Sequence, residues 1–96
     1  MPEYRLSARA AGDIAGIADY TIEQFGVDQA RRYRDGLETC FSALAENPLL
    51  GRSAEELAPN LRRFEHGSHI VFYQAREQGV LIVRVLHESM DAPSHF

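Results

Sequence analysis

The chain has 96 residues, enough for one hydrophobic core and too few for two, so a single domain over residues 1–96 is expected. Apolar residues make up 45% and charged residues 25%, which excludes a disordered tail, a fibre or a low-complexity segment. The net charge of −4 argues against broad binding to nucleic acid, and with no lysine in the chain all 10 basic side chains are arginines, suited to planar recognition of carboxylate or phosphate. The single cysteine, Cys40, excludes an internal disulfide and a cysteine-rich zinc site and agrees with a reducing compartment. The opening "MPEYRLSARA" lacks a signal-peptide pattern, and no apolar run approaches the ~18 residues of a membrane span. A cytoplasmic protein without a membrane partner is therefore expected.

"YRLS" (4 to 7) alternates like a short strand and ends on Ser7, a good helix N-cap. From Ala8, the positions Ala11, Ile14, Ile17, Ala18, Thr21, Ile22 and Phe25 recur at three and four residue steps, which predicts an amphipathic helix stopped by Gly26. Gly12 and Gly16 lower its helix propensity, by about 1 kcal/mol each relative to alanine, and suggest a place where a second helix crosses closely. Asp28 is the expected cap of that second helix, whose stripe is Ala30, Tyr33, Leu37, Cys40, Phe41, Leu44 and Ala45 and whose end is Asn47-Pro48. The short link between the two predicts an antiparallel helical hairpin. Cys40 lies on the stripe and reads as a packed core thiol.

"NPLLGRSAEELAPN" (47 to 60) reads as a surface connection with one short helical turn at Ala54 to Leu57. "LRRFEHG", "SHIVFYQAR" and "VLIVRVLHE" follow, separated by glycine-containing turns, and predict a three-stranded antiparallel meander. A three-residue loop at Glu77, Gln78 and Gly79 sets Arg76 opposite Val80. It then places Val71, Tyr73 and Ala75 with Val85, Val83 and Leu81 against the helices, and Phe72 opposite Arg84 on the second face. A two-residue loop slips the register by one and moves Arg84 beside Tyr73. Phe72, Ile82 and Leu86 are expected to form an apolar patch on the second face that a partner chain covers.

The histidines His66, His69, His87 and His95 do not fall at the helical spacing of a zinc motif and read as turn and strand-end residues, with a two-histidine acid/base pair as the alternative. Neither Ser68 nor Ser89 beside a histidine makes a triad, and Glu55-Glu56 reads as solvated. No catalytic residue, cofactor or metal ion is expected. "RRYR" (31 to 34) and "LRRF" (61 to 64) are local basic patches that read as solvated faces. Arg84 stands out, because a guanidinium in mid-strand must reach an anion, an aromatic face or solvent. It either pairs within the chain, with a carboxylate such as Glu65 or Asp91, or anchors the acidic group of a partner.

Taken in order, "YRLS", "ADYTIEQFG", "NPLLGR", "LRRFEHGSHIVFY" and "IVRVLHESMD" resemble the ParE toxins of bacterial toxin-antitoxin modules over nearly the whole chain. The most specific pieces are Gly67-Ser68-His69 leading to Phe72-Tyr73, and Arg84-Val85-Leu86-His87 followed by Met90-Asp91. The resemblance implies the α+β fold of the wider RelE/ParE superfamily: a strand, an antiparallel helical hairpin, then a three-stranded antiparallel meander. It also implies neutralisation by a ParD-type antitoxin, DNA gyrase as the target, and contact with DNA only indirectly through the antitoxin. The expected antitoxin surface is Arg52, Leu57, Arg62, Phe64, Phe72, Arg84 and Leu86; the expected target surface is Arg84, His87, Met90, Asp91 and His95. Gly51 resembles a family position and is expected to let the chain turn. The RelE branch, which cuts messenger RNA on the ribosome with basic residues and a late tyrosine or histidine, is the alternative, with Arg84, His87 and His95 as candidates. Against it, Glu88, Ser89, Met90 and Asp91 stand where those nucleases place basic residues.

Overall fold

In the computed structural model, which describes residues 2–96, the chain runs through β1 (Glu3–Leu6), α1 (Ala8–Phe25), α2 (Val27–Glu46), β2 (Arg52–Ser53), β3 (Leu61–His66), β4 (His69–Arg76), β5 (Gly79–His87) and a 3-10 turn at Ala92–His95. The α+β class expected from the sequence holds, with a first strand, a helical hairpin and an antiparallel meander. The sheet is larger than expected. β1 pairs in parallel with β5, and the two-residue β2 adds to β3, giving the order β1-β5-β4-β3-β2. Parallel neighbours need a long connection, and here it holds the helical hairpin and the strands β2 to β4.

Ser7 caps α1 as expected. Its hydroxyl oxygen accepts the Ala10 N–H at 3.0 Å, and the hydroxyl donates to the Val83 carbonyl at 2.7 Å, so the helix start is tied directly to β5. The inward face of α1 is Ala10, Ile14, Ile17, Ala18 and Thr21. Ala11, Ile22 and Phe25, which the spacing places on the same stripe, face solvent. The helix rests on α2 and on the margin of the sheet along a narrow strip, so one flank of the stripe stays wet. Gly12 and Gly16 do not receive a crossing helix, since a Cβ built at either meets nothing within 4 Å.

Helix α2 buries Ala30, Leu37, Cys40, Phe41, Leu44 and Ala45 and half-buries Tyr33, as its spacing predicts. Burial raises the Cys40 thiol pKa to about 11, which fits a core thiol rather than a nucleophile. The cap position is Gly26 rather than the expected Asp28, which sits two residues further on, in the first turn, where a carboxylate meets the positive end of the helix. No helix among the described residues is long and apolar enough to cross a membrane.

The 47–60 connection holds β2 and a hydrogen-bonded turn at Ala54–Leu57 rather than a helical turn. It is fastened from below by Tyr73, fully buried, whose hydroxyl accepts the Gly51 N–H at 2.8 Å and donates to the Pro48 carbonyl at 2.8 Å. A Cβ on Gly51 would stand 2.5 Å from both the Arg63 carbonyl oxygen and the Tyr73 hydroxyl. Close approach, rather than turning, is what requires glycine there.

The β4–β5 hairpin closes with the two-residue turn Glu77–Gln78, and Arg76 faces Gly79. Gly79 is a strand residue at φ 149°, and the Glu3 carbonyl fills the place its side chain would take. Near the turn the pairing is therefore one residue off the expected register, with Tyr73 opposite Ile82 and Ala75 opposite Val80. A bulge at Val83 then restores it, and Phe72 faces Arg84, Val71 faces Val85 and Ile70 faces Leu86. The helices consequently pack on Val71, Tyr73, Val80, Ile82 and Val85. Val83, expected on that face, joins a second cluster on the other side, and Leu81 alternates to the same side.

The apolar patch expected on the second face is not exposed. The bulge turns Ile82 into the helix side, and Phe72 and Leu86 are buried beneath the chain's own Ala54, Leu57, Ala58, Ile70 and Ala92. The Phe96 ring closes this cover, packing edge-on against Phe72 with centroids 4.9 Å apart. The connection and the tail fold back over the sheet and do what a partner chain was expected to do.

Candidate functional site

Parallel pairing with β1 ends at Ile82, so the outer edge of β5 from Arg84 onward lies beyond the end of its neighbour. Asp13 of α1 reaches over this edge. Its carboxylate accepts two hydrogen bonds from Arg84, Nε to Oδ2 and Nη2 to Oδ1, both 2.8 Å, and a third from the Val85 backbone N–H at 3.0 Å. The side chains are 13% and 14% exposed. Arg84 also donates through Nη1 to the His95 carbonyl at 3.4 Å, so one guanidinium joins α1, the sheet edge and the tail. The carboxylate beside it pushes the Arg84 pKa further above its ordinary value. Of the two expected roles of Arg84 the intramolecular pair is realised, with Asp13 rather than Glu65 or Asp91, and the aromatic contact with Phe72 is made by Arg63 instead.

Between this edge and α1 opens a groove of about 810 Å³. Gly12, Gly16, Ile17 and Tyr20 form its helical wall, Arg84 to His87 the sheet wall, and Met90 and His95 its margin. The wall is bare where Gly12 and Gly16 lack side chains. Tyr20 is 60% and Met90 49% exposed, so large apolar groups stand at the mouth without cover.

One end of the groove carries a cluster of aromatic and titratable groups. The Tyr33 hydroxyl lies 2.5 Å from His69 Nδ1 and 3.3 Å from the His66 carbonyl, and the His69 and His87 rings meet edge to face at 5.4 Å. Burial, above all, raises the Tyr33 pKa, so the phenol stays protonated, with the His66 carbonyl and His69 Nδ1 both in reach of its hydroxyl. The Ser89 N–H donates to His87 Nδ1 at 3.1 Å. The His69 pKa is lowered from 6.5, first by burial and then by His87 and His66. A histidine held neutral by the fold destabilises it in acid. Stability contributed here is fully present above about pH 6.5 and falls as the pH drops through the unfolded value toward the lower folded one. Urea denaturation across this range is expected to show a shallower acid loss in His69→Gln than in the natural chain; identical slopes would remove His69 as the cause.

Of the residues expected to meet a target, Arg84, His87, Met90 and His95 line the groove together. Asp91 stands outside its lining and accepts a hydrogen bond from the Ser94 hydroxyl at 2.6 Å, just before the terminal turn. Those expected to meet an antitoxin are scattered. Arg52 is exposed and approaches Glu65 at 3.6 Å, Arg62 donates to the Gly51 carbonyl, Leu57 packs on the second cluster and Phe64 on the main core. Phe72 is fully buried and presents no surface to a partner in this conformation, and Leu86, 3% exposed, shows only a sliver at the sheet wall of the groove. Sequence reasoning missed Asp13, Tyr20, Tyr33 and His69 as neighbours of these groups. The available signal was Asp13 itself, a carboxylate next to the apolar stripe of α1, set between two glycines.

The family model of the ParE toxin of type II toxin-antitoxin systems, parDE, matches residues 4–92. The chain is 42% identical over 95 residues to Toxin ParE1 of Caulobacter vibrioides, covering 99% of this chain and 98% of that protein. It is 39% identical over 89 residues to Toxin ParE1 of Mycobacterium tuberculosis, covering 92% and 91%, and 38% identical over 92 residues to Toxin ParE of Escherichia coli, covering 95% and 89%. The fold superposes on a chain of the chromosomal ParDE toxin-antitoxin system from P. aeruginosa with a TM-score of 0.74, at 17% identity, covering 91% of this chain and 96% of that one. The family match over residues 4–92 takes in both walls of the groove, and the chain belongs to the ParE toxin family of type II toxin-antitoxin systems.

Proposed function

We propose that this chain is the growth-inhibiting half of a type II toxin-antitoxin module, that a ParD-type antitoxin neutralises it by seating a segment in the groove between α1 and the β5 edge, and that the free toxin inhibits DNA gyrase. The observation that carries the reading is the groove itself, which presents apolar walls and uncovered Tyr20 and Met90 in a chain that belongs to a family of antitoxin-bound toxins. The antitoxin also meets the rim residues Arg52, Leu57, Arg62 and Phe64, while Arg84 acts by holding the groove wall. The target surface is the tail side of the groove, Arg84, His87, Met90 and His95, with Asp91 beside it.

The inhibition needs no bond cleavage by the toxin. Phosphodiester scission calls for a base, an acid and a cation free to stabilise the pentacoordinate transition state. His69 and His87 would supply the first two. The guanidinium nearest them by position in the groove, Arg84, already gives both arms of its fork to Asp13. Purified toxin is expected to inhibit gyrase supercoiling or to stabilise gyrase-cleaved DNA. Normal gyrase activity at saturating, folded toxin would reject the target, and cut message in primer extension from toxin-expressing cells would favour ribosome-dependent cleavage with Arg84, His87 and His95.

A further inference from the structure

Helix α1 turns one face away from the core, and along it Arg9, Gly12, Gly16, Tyr20 and Glu23 follow one another at three- and four-residue steps, which sets them in a single row. All five are exposed, and Gly12, Gly16 and Tyr20 also belong to the helical wall of the groove. The parts of this row fit one another. Tyr20 is a large knob without cover, while a Cβ at Gly12 or Gly16 meets nothing within 4 Å, so the face is hollow on one side of the knob. Arg9 and Glu23, one at each end, take part in none of the ion pairs among the described residues. The row is balanced about Gly16: Arg9 and Glu23 stand at equal distances on its two sides, and so do Gly12 and Tyr20.

We propose that the free chain self-associates through α1, two copies packing antiparallel about a two-fold axis at Gly16. A two-fold contact matches each residue of the row with the one equally far on the other side of the axis. It brings Arg9 of each copy to Glu23 of the other, and the Tyr20 ring of each into the hollow at Gly12, beside the other copy's Asp13–Arg84 pair. Gly16 meets Gly16, where the missing side chains let the helix axes come closer than the usual separation of about 8–10 Å. Asp19 falls opposite Asp13, whose charge Arg84 already balances through two hydrogen bonds. A second copy is selected over an unrelated partner because this one face supplies the knob, the hollow, the cation and the anion. A parallel pairing would set Arg9 against Arg9 and Glu23 against Glu23, which repel. The row is about 21 Å long at 1.5 Å per residue, a small interface, so the dissociation constant is expected at roughly 10–100 µM. The contact involves the toxin alone and stands whether or not an antitoxin segment also enters the groove.

Sedimentation equilibrium of the free, full-length chain from about 5 to 500 µM is expected to show monomer and dimer in exchange. Reversing one charge, in Arg9→Glu or Glu23→Arg, turns both attractive pairs of the dimer repulsive and is expected to weaken it about tenfold. Making both changes in one chain restores opposite charges across the axis, and the dissociation constant is expected to return to within about threefold of the natural value. Tyr20→Ala removes the knob and is expected to weaken the dimer about tenfold as well. All three side chains are exposed, so the variants keep the fold, which circular dichroism checks. A chain that stays monomeric through the whole range overturns the inference. So does a dimer that the single reversals and Tyr20→Ala leave unchanged, because the contact then lies elsewhere, or a double reversal no tighter than the singles, because Arg9 and Glu23 then do not meet.

Discussion

Asp13→Ala is expected to cost about 2–4 kcal/mol of folding stability, because it strands a largely buried guanidinium and leaves a strand-edge N–H without its acceptor. The carboxylate holds both arms of Arg84 and the Val85 N–H at 3.0 Å or less, and neither side chain of the pair is more than 14% exposed. Solvent screening therefore does little to soften the loss, unlike the case of Arg52 and Glu65, each 70% exposed. Arg84→Met is expected to cost less, since Asp13 then keeps the Val85 N–H and gains water. The double variant Asp13→Leu, Arg84→Met is expected to lie closer to the natural chain than Asp13→Ala does, because an apolar pair carries no desolvation penalty. Urea denaturation followed by circular dichroism measures all of these, and the deficit of the double variant against the sum of Asp13→Leu alone and Arg84→Met alone gives the coupling. An Asp13→Ala loss under about 0.5 kcal/mol, the range of ordinary surface substitutions, would show that the pair does not hold the helix to the sheet edge.

The same contacts explain which parts of this structure a reader of the sequence can reach. Local signals were sufficient for Ser7 as a cap, for the buried stripe of α2 and for the existence of three late strands, since each depends on residues within a turn or two of one another. The hairpin register was half legible. Residues 69–72 pair as expected, but the turn is one residue shorter and Val83 absorbs the difference, and a bulge leaves no mark that spacing alone can detect. The site was less legible still, because its key contact spans 71 positions, from Asp13 to Arg84. From composition, Phe72 and Leu86 look like exposed binding residues. Only the folded path of the connection and tail shows that the chain covers them itself.

Gly16→Leu is expected to strengthen the fold and weaken the antitoxin complex, a combination that few substitutions offer. Gly16 lies inside α1 with ordinary helical backbone, and a Cβ there meets nothing within 4 Å. Replacing glycine by leucine in a helix interior is worth about 0.5–1 kcal/mol in propensity, with no core contact to set against it. The leucine projects into the groove beside Ile17 and Tyr20, where the proposed antitoxin segment must lie. Overfilling a packed interface costs about 1–3 kcal/mol, so affinity should fall by roughly ten- to a hundredfold. Ser42→Leu adds the same side chain to an exposed position of α2 outside the groove, and is expected to leave affinity unchanged. Thermal unfolding and calorimetric titration with a ParD-type antitoxin read the two effects separately. A gain in stability with undiminished affinity would move the antitoxin out of the groove, since a better-folded toxin cannot lose a binding site through misfolding.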